Sequence, residues 1–456
     1  MEVMLAFGRH RPSVRHTHAL RPWLARNIAG VLLLSLLVMG QGLFFLQNVG
    51  PYSGPDPDLH ASASYALATG QSFNRPVTVS DGFGNQVLRL PVRGDSRYLT
   101  GQLTWNHTMG DIVTRALRGE TRTDVDAQRS YLSGTWKETT VRTRATQYSP
   151  VGYMPQAAGL GIAWGTGAGP YRALQCARLA NLCAYLLVWS AAFLLAPKKS
   201  RPLLGAVACT PACCFMATSL GPDGMLTAAT ALVVSLSLRF IEQDGDVGTD
   251  AFALLCCATV FLVLAKPPYA ACCLLVLVMP RAILPRTRAI AYLLTLGAAC
   301  ALYLLWHGMQ GAGFYNASRA ANTAVIRDHP LQVLATIAAN TVTFPLAHFQ
   351  TAPYAVIGLA AVTVFWLLRL HGMVPPYADA AWAITRDRYA VAALVAATAT
   401  MVATVTFITT TWNDLTVTTP LQPVRGLQGR YILPLLPLLA CLPAKGPQNT
   451  PRPDNV

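Results

Sequence analysis

About ten apolar stretches, each long enough to enter a lipid bilayer, are distributed along this chain of 456 residues. The first, residues 28–46, carries no charge and meets the roughly 20-residue length needed to cross about 30 Å of hydrocarbon. Only 12% of the residues in the chain are charged, about half the proportion found in soluble domains. The sequence therefore predicts an all-α polytopic membrane protein with about ten transmembrane helices.

Basic residues indicate how these spans are oriented. Arginines precede residue 28, and no small-x-small cleavage site follows the first span, so we expect an uncleaved anchor with a cytoplasmic N-terminus. When the later spans alternate, the basic clusters fall on the same side, which predicts that both termini are cytoplasmic. The net charge of +15 is explained by this topology and requires no nucleic acid partner.

The predicted spans are residues 28–46, 179–196, 203–220, 225–238, 251–265, 269–279, 290–306, 354–368, 389–410 and 431–442. They divide the chain into five predicted parts. The predicted parts are a basic cytoplasmic segment at 1–27, the first transmembrane helix at 28–46, an extracytoplasmic loop with interfacial helices at 47–178, a multi-helix transmembrane domain at 179–442 and a cytoplasmic tail at 443–456. Two weaker apolar stretches, 151–164 and 331–344, are predicted to be interfacial or re-entrant helices, because counting either alone as a span would reverse the later charge pattern.

The long outer loop has mixed composition. Within it, residues 76–80 and 86–91 alternate weakly between apolar and polar and are predicted to pair as short strands. All eleven cysteines of the chain lie in or beside apolar segments, so a disulfide framework is not expected.

Two carboxylates follow the first span, in the segment Pro55-Asp56-Pro57-Asp58-Leu59-His60. Carboxylates at this position can act as a general base or bind a divalent cation. The sequence does not decide whether such a cation is a cofactor. An alternative interpretation is a Pro-Asp turn that caps the helix beginning near Leu59. Residue chemistry alone leaves both interpretations open.

Three basic residues stand at predicted span ends. Arg430 lies in Gly426-Leu427-Gln428-Gly429-Arg430-Tyr431, where its guanidinium matches a pair of phosphate oxygens and the glycines permit close approach. Lys266 interrupts an apolar region, and Arg178 begins another. The alternative for each is an ordinary cation that anchors a span at the membrane boundary.

These motifs together resemble one known family. The motifs occur in the order Pro55-Asp56-x-x-x-His60, Tyr148-x-Pro-x-x-Tyr153-x-Pro-Gln-Ala157, Arg178-Leu-x-Asn181, Ser219-x-x-x-Asp223, Lys266-Pro-x-Tyr269, the Pro330 helix entry and Gln428-Gly-Arg-Tyr431-x-Leu-Pro434. The set resembles the bacterial polytopic membrane-protein family called domain of unknown function 2142, over about residues 41–442. The family commonly has Glu after the first Asp, whereas this chain has Pro57 and carries its second carboxylate at Asp58.

The resemblance implies a GT-C-like architecture, because members are similar in layout to GT-C glycosyltransferases, which use polyprenyl-phosphate sugars. It implies a protein of the bacterial cytoplasmic membrane that contacts the bilayer and moves a sugar from a polyprenyl-phosphate donor to an extracytoplasmic glycan or other acceptor. The expected catalytic residues are Asp56 and Asp58, and the expected substrate-binding residues are His60, Tyr153, Gln156, Arg178, Asp223, Lys266, Tyr269, Gln428, Arg430 and Tyr431.

Two other functions remain open: a non-enzymatic lipid or polysaccharide transporter, and an assembly subunit of cell-envelope glycan synthesis. A transporter site is expected near the membrane midplane, between repeats. Here the unusual polar residues are predicted at the outer ends of spans, which favours the enzyme.

Overall fold

The computed structural model describes residues 20–99, 109–143, 148–242, 248–311, 315–351, 380–418 and 422–441. Residues 1–19, the predicted span at 354–368 and the predicted tail at 443–456 lie outside this part of the chain. The helices are α1 (Leu20–Asn48), α2 (Pro57–Ala68), α3 (Ser96–Leu99), α4 (Met109–Leu117), α5 (Arg122–Leu132), α6 (Met154–Gly165), α7 (Pro170–Leu195), α8 (Arg201–Ala208), α9 (Pro211–Ala217), α10 (Asp223–Glu242), α11 (Thr249–Ala265), α12 (Arg286–Gln310), α13 (Arg319–Asp328), α14 (Pro330–Thr351) and α15 (Ala380–Trp412). Short 3-10 segments cover Gln71–Phe73, Pro150–Tyr153, Pro267–Val278, Gly429–Tyr431 and Leu433–Cys441.

Five helices in the described part are long and apolar enough to cross a membrane. They are Ile28–Asn48, Pro170–Leu195, Asp223–Glu242, Arg286–Gln310 and Arg388–Trp412. Four shorter apolar helices accompany them at Thr249–Ala265, Pro267–Val278, Pro330–Phe344 and Gly429–Cys441. The chain is therefore a mostly helical protein with several apolar helices suited to a membrane, and the described residues support fewer full-length spans than the ten predicted.

The predicted span at 203–220 does not form one continuous helix. It is divided into α8 and α9, and Thr210 between them has an extended backbone with ψ 136°. Pro211 explains the break, since a proline disfavours helical geometry at the residue before it. Apolar composition therefore predicted the location of this segment but not its continuity.

Two helices begin earlier or extend further than predicted. Helix α7 begins at Pro170, so Arg178 and Asn181 lie within the helix and not at its start. The stretch predicted as a short interfacial helix at 331–344 is part of the 22-residue helix α14. Proline is suited to the first turn of a helix, where its missing N–H has no intrahelical partner, and it occupies that position in both helices.

Helix α10 is the centre of the helical bundle. It packs against α7, α9, α11 and the Leu433–Cys441 segment, and 94% of its most apolar window is buried. In contrast, only 11% of the corresponding window of α12 is buried. A helix that is apolar all round belongs in a core, and exposed apolar faces are suited to lipid. The exposed apolar faces of α12 and α1 are therefore suited to contact with lipid.

A small sheet lies in the segment between α1 and α7. Strands β1 (Val77–Ser80), β2 (Gln86–Asp95) and β3 (Glu138–Thr143) are antiparallel in the order β1-β2-β3. The predicted pairing of the first two strands is confirmed, with Val79 opposite Val87. Alternation along β2 buries Leu90 and Val92 in one apolar cluster with Tyr52, Leu160 and Leu174, so the sheet shares a core with α6 and α7. All eleven cysteines are free thiols in the structure.

Candidate functional site

Four charged side chains meet where the ends of several helices converge. Asp56 precedes α2, Asp223 begins α10, Lys266 follows α11, and Arg430 lies in the 3-10 turn Gly429–Tyr431. We call these four residues the charge cluster. It contains two carboxylates and two cations, and three of its side chains are at most 12% exposed.

Arg430 is the hub of the charge cluster. Its Nη2 forms an ion pair with Asp56 Oδ2, and its Nη1 lies 3.3 Å from Asp223 Oδ2. Asp223 Oδ1 accepts a hydrogen bond of 2.9 Å from Lys266 Nζ. Desolvating such charges is costly, so a buried ion network is weak evidence for stability and is a candidate functional site.

The backbone at Asp56 adopts the left-handed conformation, with φ 49° and ψ 47°. No other non-glycine residue in the described part has a positive φ. Asp56 occupies the N-cap position of α2, but its side chain makes no capping hydrogen bond. The helix-capping interpretation is therefore wrong, and the carboxylate is directed to Arg430 instead.

His60 lies one turn into α2 and faces the cluster. Its Nε2 is 3.4 Å from Arg430 Nη1, and its Nδ1 is 2.8 Å from Tyr153 Oη. Burial, followed by the positive charge of Arg430, lowers the pKa of His60 to about 4. Burial also raises the pKa of Tyr153 well above its usual value. Both side chains are therefore neutral near pH 7.

The turn that precedes Asp223 is held by three buried amide or guanidinium side chains. Arg178 Nε donates to the Thr218 carbonyl, Asn181 Nδ2 donates to the Ser219 carbonyl at 3.1 Å, and Gln156 Nε2 donates to the Gly221 carbonyl at 3.1 Å. A Cβ on Gly221 would lie 3.1 Å from the His60 ring. A larger residue at position 221 would therefore crowd the His60 ring, which would have to shift by a few tenths of an ångström.

Arg178 is directed away from the charge cluster. Its Nη1 donates to the Val49 carbonyl at 2.7 Å, and its Nη2 donates to the Phe45 carbonyl at 3.3 Å. These bonds tie the end of α1 to the turn before Asp223, since Arg178 Nε binds Thr218. The Gln156 Nε2 amide likewise donates to backbone carbonyls, those of Leu220 and Gly221.

Two tyrosines surround Lys266. The ammonium lies 4.4 Å from the centre of the Tyr431 ring, which favours a cation–π contact. Tyr269 Oη donates to the Tyr431 carbonyl at 2.8 Å and so joins the turn of Arg430 to the segment after Lys266. The Gln428 carbonyl accepts from Tyr431 N–H at 3.0 Å, while the Gln428 side chain is half-buried.

Asp58 lies in the first turn of α2 and is not one of the four charges that form the cluster. The structure thus brings together Asp56, His60, Tyr153, Asp223, Lys266, Tyr269, Arg430 and Tyr431 from the residues selected in the sequence. Within the described residues, no group of three or more His, Cys, Asp or Glu side chains has the arrangement of a metal site.

Gln128 of α5 is a supporting residue that the sequence analysis missed. It is fully buried, accepts from Tyr52 N–H at 2.8 Å and donates to Ser53 Oγ at 2.8 Å. It therefore fixes the turn that leads to Asp56. Nothing in the polar sequence of α5 distinguishes this glutamine from its exposed neighbours.

The ordered set of motifs that supplies these side chains matches a family model. The model, described as predicted membrane protein (DUF2142), matches residues 39–439. The chain belongs to this family. No curated protein and no solved structure gives a significant match. The residues matched by DUF2142 include all four members of the charge cluster, so Asp56 and Arg430 belong to one family unit.

Proposed function

We propose that this DUF2142 protein transfers a sugar from a polyprenyl-phosphate donor to the hydroxyl of a glycan or other acceptor, and that the charge cluster is its reaction centre. The observation that supports this proposal is a buried hydrogen-bond donor on Arg430 that has no partner within the described part of the chain. This side chain is 3% exposed, and its Nε has no hydrogen-bond partner among the described residues. A buried donor without a partner is costly, and a ligand oxygen would remove that cost.

The unpartnered Nε lies on the same edge of the guanidinium as Nη2, which binds Asp56. This edge presents two parallel N–H donors, the arrangement that binds two oxygens of a phosphate. Asp56 uses one donor of the pair. A phosphate that replaced Asp56 would satisfy both donors, and Lys266 would contribute a second positive charge beside it.

In the proposed reaction, the acceptor oxygen attacks the anomeric carbon of the donor sugar. The acceptor hydroxyl loses its proton to the Asp56 carboxylate as the new carbon–oxygen bond forms. The bond between the anomeric carbon and the phosphate oxygen breaks, and its electron pair leaves with the polyprenyl phosphate. Arg430 and Lys266 stabilise the negative charge that develops on that phosphate. A placed general base contributes roughly 10² to 10⁴ in rate.

The ion pair between Asp56 and Arg430 gives this mechanism an order. While Arg430 holds Asp56, the carboxylate is a poor proton acceptor and the guanidinium is only partly available. Binding of a phosphate at Arg430 releases Asp56, so donor binding prepares the base. Asp56 is the more exposed of the two, because 22% of its side chain is accessible, compared with 3% for Arg430. It is therefore the partner with room to move.

The experiment that tests the proposal is a transfer assay of the purified protein with a panel of polyprenyl-phosphate sugars and soluble glycan acceptors. The proposal predicts transfer of at least one sugar and release of polyprenyl phosphate in equal amount. Binding of polyprenyl phosphate without transfer from any donor would contradict the enzyme and support a non-enzymatic lipid transporter or assembly subunit. Absence of both binding and transfer would contradict the phosphate site itself.

A further inference from the structure

The two carboxylates of the charge cluster differ in how readily a ligand can displace them. The Asp223 side chain is 1% exposed, whereas 22% of the Asp56 side chain is accessible. Asp56 pairs with Nη2 of Arg430, on the edge of the guanidinium that also carries Nε, and Asp223 faces Nη1. A phosphate that binds the edge formed by Nε and Nη2 can therefore replace Asp56 while Asp223 stays in place.

The backbone that carries Asp223 is fixed by close packing. Asp223 is the first residue of α10, the helix whose most apolar window is 94% buried. A Cβ on Gly224 would lie 2.7 Å from the Cα of Ala217, so α10 begins in direct backbone contact with α9. The turn before Asp223 is also held by three buried side chains that donate to its carbonyls. The Asp223 carboxylate therefore has little freedom to move with a ligand.

Asp223 also holds the two cations of the cluster together. Its Oδ1 accepts a hydrogen bond of 2.9 Å from Lys266 Nζ, and its Oδ2 lies 3.3 Å from Arg430 Nη1. The two cations repel each other, and a carboxylate between them is attracted to both. We propose that Asp223 is a positioning residue, which aligns Lys266 and Arg430 to bind one phosphate and stays bound to both when the phosphate replaces Asp56. The binding part of this inference rests on the proposed function, whereas the hold of Asp223 on the two cations does not.

The two carboxylates can be distinguished by the sign of the change in affinity when each is removed. A negative charge beside two cations weakens their attraction for a phosphate, so charge alone predicts tighter binding when either carboxylate is lost. Alignment predicts the opposite for Asp223. Without it, Lys266 and Arg430 lose their shared partner and repel each other, so they no longer present their donors to one ligand.

The first measurement is the affinity of the full-length protein in detergent for polyprenyl phosphate. Asp223→Ala and Asp56→Asn each remove one negative charge beside Arg430, so each is the control for the other. We expect Asp223→Ala to bind at least about tenfold more weakly than the parent, the effect of losing one hydrogen bond to a charged group, and Asp56→Asn to bind more tightly. Equal or tighter binding by Asp223→Ala would overturn the positioning role.

The second measurement needs no ligand and follows the reaction of lysines with an amine-modifying reagent, read by mass spectrometry. The Lys266 side chain is 12% exposed, and the exposed Lys137 provides an internal reference. An ammonium that loses its buried partner moves to solvent or loses its proton, and either change exposes the amine to the reagent. We expect Lys266 to react faster in Asp223→Ala than in the parent or in Asp56→Asn. Unchanged protection of Lys266 would overturn the inference whatever the protein binds.

A second background keeps the test decisive where Asp223→Ala does not accumulate as folded protein. In Lys266→Met, removing Asp223 leaves Arg430 balanced by Asp56, so no buried cation is left without a carboxylate. Weaker binding when Asp223→Ala is added to Lys266→Met would support alignment of Arg430, and tighter binding would overturn it. If the parent does not bind polyprenyl phosphate, the proposed function fails, and the reactivity of Lys266 still decides whether Asp223 holds the cations.

Discussion

Asp56 and Arg430 are 374 residues apart in the chain and form an ion pair. The pair joins the segment after α1 to the segment that follows α15. Arg430 Nη1 also lies 3.4 Å from the Pro55 carbonyl, so the contact involves the backbone on the Asp56 side as well. Both ends of the family unit are therefore needed to assemble one site, and neither end contains it alone.

Replacing Asp56 with Asn should separate the two roles of the carboxylate. Asn keeps the size and tolerates the left-handed backbone, but it cannot accept a proton. We expect transfer to fall by two orders of magnitude or more while affinity for polyprenyl phosphate rises, because the anion that competes for Arg430 is gone. The measurement is transfer rate together with lipid affinity at matched membrane abundance.

Asp58→Asn is the control for that variant, since it removes a carboxylate that lies outside the charge cluster. It should retain most of the transfer activity. Near-normal transfer in Asp56→Asn would exclude Asp56 as the base. An equal loss in both variants would favour an acidic site shared by the two carboxylates.

His60 should make the stability of the fold depend on pH. Its pKa is about 4 in the folded protein and about 6.5 when unfolded, so between these values the unfolded state binds more protons. The part of the folding stability that depends on a neutral His60 is fully present above pH 6.5 and is lost as pH falls from 6.5 toward 4. At pH 5 the loss is about 2 kcal/mol, from a pKa difference of about 1.5 units between 6.5 and 5.

The check is the free energy of unfolding in detergent at pH 7 and pH 5 for the parent and for His60→Gln. The variant has no titrating group at this position and should show a smaller decrease over the same interval. Equal pH dependence in the two proteins would mean that His60 is not the group responsible. Asp56, Asp223, Lys266 and Arg430 face His60 and are unchanged in both proteins.

Arg178→Met should affect stability more than ligand binding. Arg178 is 1% exposed and donates to the carbonyls of Phe45, Val49 and Thr218. Removing these donors leaves buried acceptors unsatisfied, at a cost of about 2 to 4 kcal/mol in the free energy of unfolding. Affinity for polyprenyl phosphate, measured per folded molecule, should stay near the parent value. A large loss of affinity with unchanged stability would instead assign Arg178 to the phosphate site.

The predicted topology can be tested with an impermeant thiol reagent in intact cells. Thr135 and Lys198 are exposed in the structure, the first in the long loop and the second between α7 and α8. In a background in which the native cysteines are replaced, Thr135→Cys should react from outside and Lys198→Cys only after permeabilisation. Labelling of Lys198→Cys in intact cells would contradict the predicted orientation.

Much of the site could be predicted because buried charge is rare in apolar sequence. Lys266 and Arg430 interrupt apolar surroundings, and a charge in such a place requires a partner or a function. The pairing itself was not predictable. Nothing local to Pro55-Asp56-Pro57 distinguishes a helix cap from a partner for Arg430, since that choice depends on a contact across 374 residues.

The fold, too, could be predicted from local sequence only in part. Apolar length located the central helix α10, because a segment without charge is stable only when buried or in lipid. It failed at residues 203–220, where Pro211 interrupts the helix without interrupting the apolar run. It also could not find Gln128, whose role comes from a buried contact with the turn at Tyr52 and Ser53.

The most direct test is the affinity for a polyprenyl-phosphate donor, with the transfer rate, for Arg430→Lys and Arg430→Ala at matched membrane abundance. Lysine keeps the positive charge but lacks the paired Nε and Nη2 donors, so we expect donor affinity at least about tenfold weaker. Alanine should be worse, by about 2 to 5 kcal/mol for a desolvated charge pair. Wild-type affinity and transfer in Arg430→Lys would contradict a two-point phosphate contact and would leave Arg430 as a cation that anchors the membrane boundary.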